Sequence, residues 1–364
     1  MIKDERKYWV ALNACYEIGP ARLKKLYSSF PSMKDAWEAS NNGWRKAGLE
    51  EKVIIALRET VSKIDPDKEM EKLRCEKISV LTTKEKEFPH NLKNIDRPPA
   101  IIYLKGGIKK IDKIALAVVG TRRMSLYGRQ VTEKIAYDLA RSGMTIVSGL
   151  ARGVDTIAHE SALEAGGRTI AVVGSGLDAR SLYPFDNLDL ARKIVSSGGA
   201  IISEYHPGTP ALPQHFPARN RLISALSLGV LVTECPIKSG ALLTARAGLE
   251  QGKEIFAIPG DIRNENCEGT NNLIKIGAKA ITCAAEILEE FGFSRAIEEK
   301  IKKIIPETKE EAQILDYMSI QPIEFDKLVK KTSLDSATLS SVLTMMEIQG
   351  KVRNVGMNQY VLKK

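Results

Sequence analysis

Residues 114–128 read IALAVVGTRRMSLYG, and this stretch decides the fold. The apolar run Ile114 to Val119 shows no alternation, the pattern of a strand buried on both faces of a parallel sheet. Gly120 ends it, Thr121, Arg122 and Arg123 follow, and from Tyr127 the spacing of apolar residues becomes helical. A glycine there lets the backbone turn closely past a ligand. In open α/β sheets, ligands bind outside the carboxyl ends of the strands. Arg122 and Arg123 are therefore placed to meet an anion.

The same strand–loop–helix unit recurs downstream. Strands are predicted at 114–119, 144–148, 169–173, 200–204, 230–234 and 254–258, with a weak last one at 279–282. Helices are predicted between them at 127–142, 154–165, 186–197, 218–228, 240–251 and 270–276. Regular βα alternation with right-handed crossovers means an α/β, doubly wound parallel sheet. Ile78–Thr82 and Ala100–Leu104 read as two further strands that extend it.

The loops after successive strands carry the chemistry. They hold six cations, Arg122, Arg123, Arg152, Arg219, Arg221 and Lys238, against five carboxylates, Asp155, Asp178, Glu204, Glu234 and Asp261. Charge alone leaves little excess, so location matters more. Glu204 and Glu234 sit at strand ends, where they could orient arginines, and Arg221 could turn inward onto Glu234. Gly149, Gly153, Ser239 and Gly240 beside the cations offer backbone and hydroxyl donors to phosphate oxygens. The proline-rich loop Gly208–Asn220 brings Phe216 just ahead of Arg219-Asn220-Arg221. An aromatic beside arginines is the pairing that single-stranded nucleic acid exploits. The other reading makes Phe216 a core plug, and both stand at this point.

Several function classes lack their residues. Gly174-Ser175-Gly176-Leu177-Asp178-Ala179 matches a dinucleotide fingerprint in form, but Ser181-Leu182-Tyr183-Pro184 breaks the helix that should follow. There is no G-x-x-x-x-G-K-[ST] phosphate loop and no G-x-S-x-G nucleophile elbow. His159 reads as structural rather than as a base. The five cysteines, Cys15, Cys75, Cys235, Cys267 and Cys283, form no C-x-x-C pair and the four histidines are dispersed, so no metal or cofactor is expected. Scattered, odd-numbered thiols point to a reducing, cytoplasmic setting. A charged start, MIKDERKYWV, and the absence of a long apolar run predict no signal peptide and no membrane span. The net charge of +9 favours a polyanionic partner without proving one.

On either side of the sheet the pattern is helical. Tyr8–Cys15 and Ala21–Phe30 are joined by Ile18-Gly19-Pro20, half of a helix-hairpin-helix-like turn or an ordinary helical turn. Trp37 and Trp44 are expected in the core of this unit. Asp65-Pro66-Asp67 reads as a boundary, and 293–306 as a charged linker. Helices near 308–319, 323–331 and 335–349, then strands at 351–355 and 359–362 about a turn containing Gly356, spell a winged helix. Its recognition helix has no basic residue before Lys351, which favours an accessory or protein-contact role over base readout.

Taken in order, GTRR, SGLARGVDTIAHESAL, GSGLDARSLYP, FPARNRLISALS, SGALLTARAGLEQGKEIFAIPG and GTNNLIKIGA resemble the DNA-processing protein DprA (Smf) family from Phe88 to Leu288. The resemblance implies an extended Rossmann-like domain at 66–292. Ahead of it would lie a helix-hairpin-helix/SAM-like domain at 1–65, and after the 293–306 linker a winged helix at 307–364. It implies a homodimer that binds single-stranded DNA and helps load a RecA-type recombinase in natural transformation, without catalysis. Carried over by position, the DNA contacts would be Arg122 and Arg123, Gly149 and Arg152, Phe216, Arg219, Asn220 and Arg221, and Lys238, Ser239, Gly240 and Thr244. The segment LDARSLYP runs about two residues longer than the family pattern, so Gly174–Gly176 are not among the contacts carried over. SALS replaces the more usual AGLS after RNRLI.

A nucleotide-monophosphate phosphoribohydrolase is the alternative on a related fold, with the signature P-G-G-x-G-T-x-x-E. Here the strand end runs from Glu234 to Thr244 without the double glycine and without a glutamate three residues after the threonine.

Overall fold

The computed structural model describes residues 2–293, 308–318, 322–356 and 358–362. The chain forms two compact units, Met1–Ala284 and Ala285–Lys364.

In the first unit the strands are β1 (Ser79–Thr82), β2 (Ile101–Gly106), β3 (Ala115–Val119), β4 (Thr145–Ser148), β5 (Thr169–Val172), β6 (Ala200–Ser203), β7 (Gly229–Val232), β8 (Glu254–Ala257) and β9 (Lys279–Ala280). They make one sheet in the order β1-β2-β6-β5-β4-β3-β7-β8-β9. From β6 to β9 every pairing is parallel, whereas β1 with β2 and β2 with β6 are antiparallel. The doubly wound α/β class read from the alternation is the observed one, and β1 and β2 do extend the sheet. From β3 the chain winds outward through β4 and β5 to β6, then returns to place β7 on the other side of β3. The strand order therefore reverses between β3 and β7. That switch point opens a crevice at the carboxyl edge.

All five residues of β3 are buried. Ala115, Ala117 and Val119 pack with Val230 and Val232 of β7 and with Leu222, Ile223, Ala241 and Ala245 from two helices on one face. Ala171 of β5 and Ile201 of β6 face the other side. There they meet Ile194 of helix Leu188–Ser196 and the amino-terminal helices through Trp9, Leu12, Leu23 and Leu57. The hydrophobic core thus runs without a break across Asp65-Pro66. Asp65 instead caps the helix Pro66–Cys75, accepting from Asp67 N at 2.9 Å, with proline at its first position. Trp37 and Trp44 are buried, and Trp44 Nε1 donates to Ala36 O at 2.7 Å.

One helix differs from its sequence expectation. The helix expected from residue 218 begins at His215, so Phe216 and Pro217 lie in its first turn rather than in a rigid loop. Proline is compatible with a first turn, where backbone N–H groups have no intrahelical partner.

The second unit has helices Lys309–Leu315, Phe325–Thr332 and Ser336–Ile348, with strands β10 (Ile323–Glu324), β11 (Val352–Gly356) and β12 (Gln359–Leu362) in the order β10-β12-β11. Leu328, Leu339, Leu343, Met346 and Val352 form its core, which is that of a winged helix. Asp335 caps the recognition helix, accepting from Thr338 N at 2.9 Å. The linker expected at 293–306 lies, beyond Phe293, outside the described residues. No helix among the described residues is long and apolar enough to cross a membrane.

Candidate nucleic-acid interface

A cavity of about 440 Å³ opens at the switch point. Its walls come from the loop after β3 (Gly120 to Arg123), the first turns of helix His215–Ala225 (Phe216, Pro217, Arg219, Asn220), and the segment after β7 (Pro236, Lys238 to Ala241, Leu243 and Thr244).

Short backbone contacts hold these loops. Thr121 N donates to Glu234 O at 2.7 Å, joining the end of β3 to the end of β7. Val154 N donates to Thr121 O at 3.1 Å. Gly153 has φ +80°, and a Cβ there would lie 2.4 Å from Thr121 O, so this crossing requires glycine. Asn266 Nδ2 donates to Arg123 O at 2.9 Å, so a residue outside every recognised motif also braces the loop.

The cations divide into two kinds. Arg122, Arg123 and Lys238 are exposed, and no described acidic side chain pairs with them. The Arg122 guanidinium lies 5.1 Å from the ring centroid of Phe216, within cation–π range. Phe216 is half-buried on the cavity wall and belongs to none of the hydrophobic clusters described above. It stands on the cavity wall, packed against Tyr183. Arg152 is exposed but pairs with Asp186, Nε to Oδ2 at 2.6 Å.

Arg219 and Arg221, expected among the DNA contacts, are each engaged by partners within the protein. Arg219 is 4% exposed, because helix His215–Ala225 turns this position onto the strand ends. Its Nη1 donates to Gly149 O at 2.7 Å and also to Val172 O, and its Nε to Asn220 Oδ1 at 3.2 Å. Burial pulls its pKa down to about 10, against the opposing charge of Asp155. Asp155 is itself buried and accepts from Gly149 N at 3.0 Å and Ala151 N at 3.3 Å. Burial raises its pKa, and the Arg219 charge works against that rise. Gly149 lies between the two: a Cβ would fall 2.5 Å from Arg219 Nη2 and 2.6 Å from Asp155 Oδ2. Arg219, Asp155 and Gly149 thus form a buried network at the cavity floor, with Arg219 and Asp155 reaching its lining.

Arg221 turns to the opposite side of its helix and binds Glu204, Nη2 to Oε2 at 2.6 Å, rather than Glu234. Glu234 is fully buried and accepts from Ser125 N at 2.8 Å and Ser125 Oγ at 2.6 Å. It organises the loop carrying Arg122 and Arg123 instead of pairing with an arginine. With Glu204 and Glu234 both engaged elsewhere, the cavity lining holds Arg122, Arg123, Arg219 and Lys238 against one carboxylate, Asp155.

The remaining expected residues lie on the cavity wall. Ser239 caps helix Gly240–Glu250, accepting from Ala241 N at 3.2 Å, so its hydroxyl oxygen is partly engaged. Asn220 Nδ2 donates to Gly240 O at 3.1 Å. Thr244 is buried on the cavity wall, and a Cβ at Gly240 would meet open space. Gly174–Gly176 are not part of the lining. They pack on the 206–209 loop and His215, with Gly176 N donating to Thr209 O at 2.9 Å. His159 is buried, its Nδ1 2.6 Å from Thr169 Oγ1, and burial lowers its pKa to about 3. Among the described residues no group of His, Cys, Asp and Glu could hold a metal ion.

A basic crevice at the switch point of a doubly wound sheet, with an aromatic on its wall, is the site of an extended Rossmann-like protein. The chain belongs to the DNA recombination-mediator protein A family, the DNA-processing recombination mediators also called DprA or Smf. That family's model matches residues 79–292, and the DprA winged helix domain model matches 301–356. Protein Smf of Synechocystis is 32% identical, over 97% of both chains. DNA processing protein DprA of Bacillus subtilis is 41% identical over 58% of this chain and 71% of its own. Among solved structures, DNA processing protein A of Streptococcus pneumoniae superposes with a TM-score of 0.66 at 32% identity, covering 78% of this chain and 97% of that one. DNA processing protein A of Helicobacter pylori, solved for its single-stranded DNA binding mode, gives 0.53 at 34% identity over 59% and 95%.

Proposed function

We propose that this protein binds single-stranded DNA in the switch-point crevice, without catalysis, as a homodimer that hands the strand to a RecA-type recombinase in the cytoplasm. The observation that carries the reading is the pairing of Arg122 with Phe216, 5.1 Å apart, beside Arg123 and Lys238, which no described carboxylate pairs. Three exposed cations hold backbone phosphates while the ring offers a face to a base, a combination tolerant of sequence. Single-stranded DNA binding by the Helicobacter pylori relative, at 34% identity, supports the same ligand here. Asn220, Ser239, Gly240 and Thr244 complete the proposed contacts from the walls, with Arg152 outside the cavity lining beside Asp186. Gly149, Arg219 and Arg221 act beneath and behind them. The winged helix has a recognition helix, Ser336–Ile348, without a single basic residue, and serves as an accessory or protein-contact unit.

Titrating single- and double-stranded oligonucleotides across salt concentrations tests this reading. About four neutralised phosphates on a single strand give a slope of log K on log salt near −3. Equal affinity for both forms, or indifference to salt, overturns it.

A further inference from the structure

The loop between β5 and helix Leu188–Ser196 breaks the helical pattern at Ser181-Leu182-Tyr183-Pro184, and it carries two aromatics that the motifs leave without a role. In the structure they continue a row that begins at the cavity. The Tyr183 ring lies 6.1 Å from Phe216 at 51°, and Phe185 lies 6.2 Å from Tyr183 at 80°. Arg122 covers the first ring of the row, and the last, Phe185, is 60% exposed.

A single exposed aromatic needs no explanation. Three in a row, starting from a cation–π pair at a basic cavity, do. The loop is also firmly held. Leu182 is buried in the core, and Asn187 Nδ2 donates at 2.8 Å to both Leu150 O and Thr156 Oγ1. The exposed ring is therefore presented from anchored backbone on both sides. Next to it stands Arg152, whose partner Asp186 is equally exposed, each side chain at 61%. An exposed pair of this kind contributes about 0–1 kcal/mol, so a phosphate can replace Asp186 at little cost.

We propose that Tyr183 and Phe185, with Phe216, form a stacking track for consecutive bases of a single DNA strand, with Arg152 meeting the backbone alongside. The proposal rests on the binding reading above and extends it toward the β4 and β5 side of the sheet edge. Ring spacings near 6 Å exceed the 3.4 Å rise per strand of duplex DNA, so the track requires a strand that can stretch. The rings are mutually inclined, so each base takes its own ring face rather than one continuous stack. Nucleobases are the chemical class recognised, with no demand on sequence, because every base has a π-face.

The test uses the full chain, an oligothymidylate of about twelve nucleotides, within the site sizes typical of such binders, and an abasic strand of equal length. Phe185→Ala removes an exposed ring and should leave the fold intact. It is expected to weaken oligothymidylate binding about tenfold at unchanged salt slope, with Phe185→Trp restoring affinity. On the abasic strand, Phe185→Ala and wild type should bind alike. Wild-type affinity of both Phe185→Ala and Tyr183→Leu for oligothymidylate overturns the track, as does an equal loss on the abasic strand. If Phe216→Ala and Arg122→Ala weaken binding while Phe185→Ala and Tyr183→Leu do not, the crevice stands and only the track fails. If the wild type binds no oligothymidylate, the crevice reading falls as well.

Discussion

The guanidinium of Arg122 and the ring of Phe216 meet at 5.1 Å across the crevice between the ends of β3 and β7. One residue follows a strand and the other opens a helix almost a hundred positions later. Arg122 pairs with no described carboxylate, and Phe216 has no place in the hydrophobic clusters described above. A cation held on a ring face keeps its charge directed at the cavity while the ring fixes its position. In the proposed complex, that arrangement would supply phosphate attraction and base stacking from two adjacent side chains.

Phe216→Ala is expected to weaken single-strand binding by about 1–3 kcal/mol, the usual cost of removing one base–aromatic stack. Its salt slope should stay near the wild-type value, because every phosphate remains neutralised. Since Phe216 is half-buried outside the main clusters, thermal unfolding should shift little. Anisotropy titrations at several salt concentrations, with a melting curve, check all three points.

Arg122→Ala, Arg123→Ala and Lys238→Ala should each lower affinity and flatten the salt slope by about 0.7 for every phosphate no longer neutralised. Melting temperatures should stay close to wild type, as all three side chains are exposed. Three folded variants with unchanged slope would move the strand off this edge of the sheet.

Arg219→Ala should behave differently from those three. Removing a buried guanidinium leaves Asp155 buried without its opposing charge and strips the hydrogen bonds to Gly149 O and Val172 O. Breaking such a buried arrangement costs about 3–5 kcal/mol. Denaturant unfolding should show that cost, with DNA binding failing alongside the fold rather than through the salt slope.

Truncation after residue 292 is expected to leave single-strand affinity within about twofold of the full chain, since the proposed contacts all lie in the first compact unit and the recognition helix lacks basic readers. Comparing the two proteins on the same oligonucleotide decides it.

Acid should loosen the junction between helix Pro66–Cys75 and the loop after β6. His206 Nε2 lies 3.5 Å from the Glu69 carboxylate, both side chains being largely buried. His206 foremost, with help from Lys72, holds the Glu69 pKa down at about 2 against the upward push of burial. A carboxyl lowered in the folded state contributes stability above its unfolded pKa and loses it as pH falls through the folded one. The contribution is therefore present above about pH 5 and lost progressively toward pH 2. Glu69→Gln should make unfolding less steep over that window, as followed by circular dichroism.

Much of the architecture is legible along the chain. The strands β3 to β8 fall within a residue or two of the expected runs, because strands buried on both faces leave unbroken apolar stretches between helical periods. The winged helix is equally legible from its order of elements. Helix His215–Ala225 starts earlier than expected because Pro217 reads locally as a loop residue, whereas its place in a first turn depends on how the helix docks. Tyr183 and Phe185 leave a signal, an aromatic pair in a chain with only 6% aromatics, but the contact of Tyr183 with Phe216 links positions more than thirty residues apart.

Residue order alone is enough for the doubly wound class, the carboxyl-edge location of the basic loops and the family to which they belong. It puts six cations and five carboxylates on that edge and cannot sort them. Folding in three dimensions does the sorting: Arg122, Arg123 and Lys238 face the cavity, Arg221 takes Glu204, Glu234 holds Ser125, and Arg219 is buried as scaffold. The physical reason is range. Periodicity records which faces of a strand or helix leave water, a property set within a few residues. The fate of a particular guanidinium depends on which carbonyls and carboxylates strand order brings beside it, and for Arg219 those lie 70 and 47 residues away, at Gly149 and Val172.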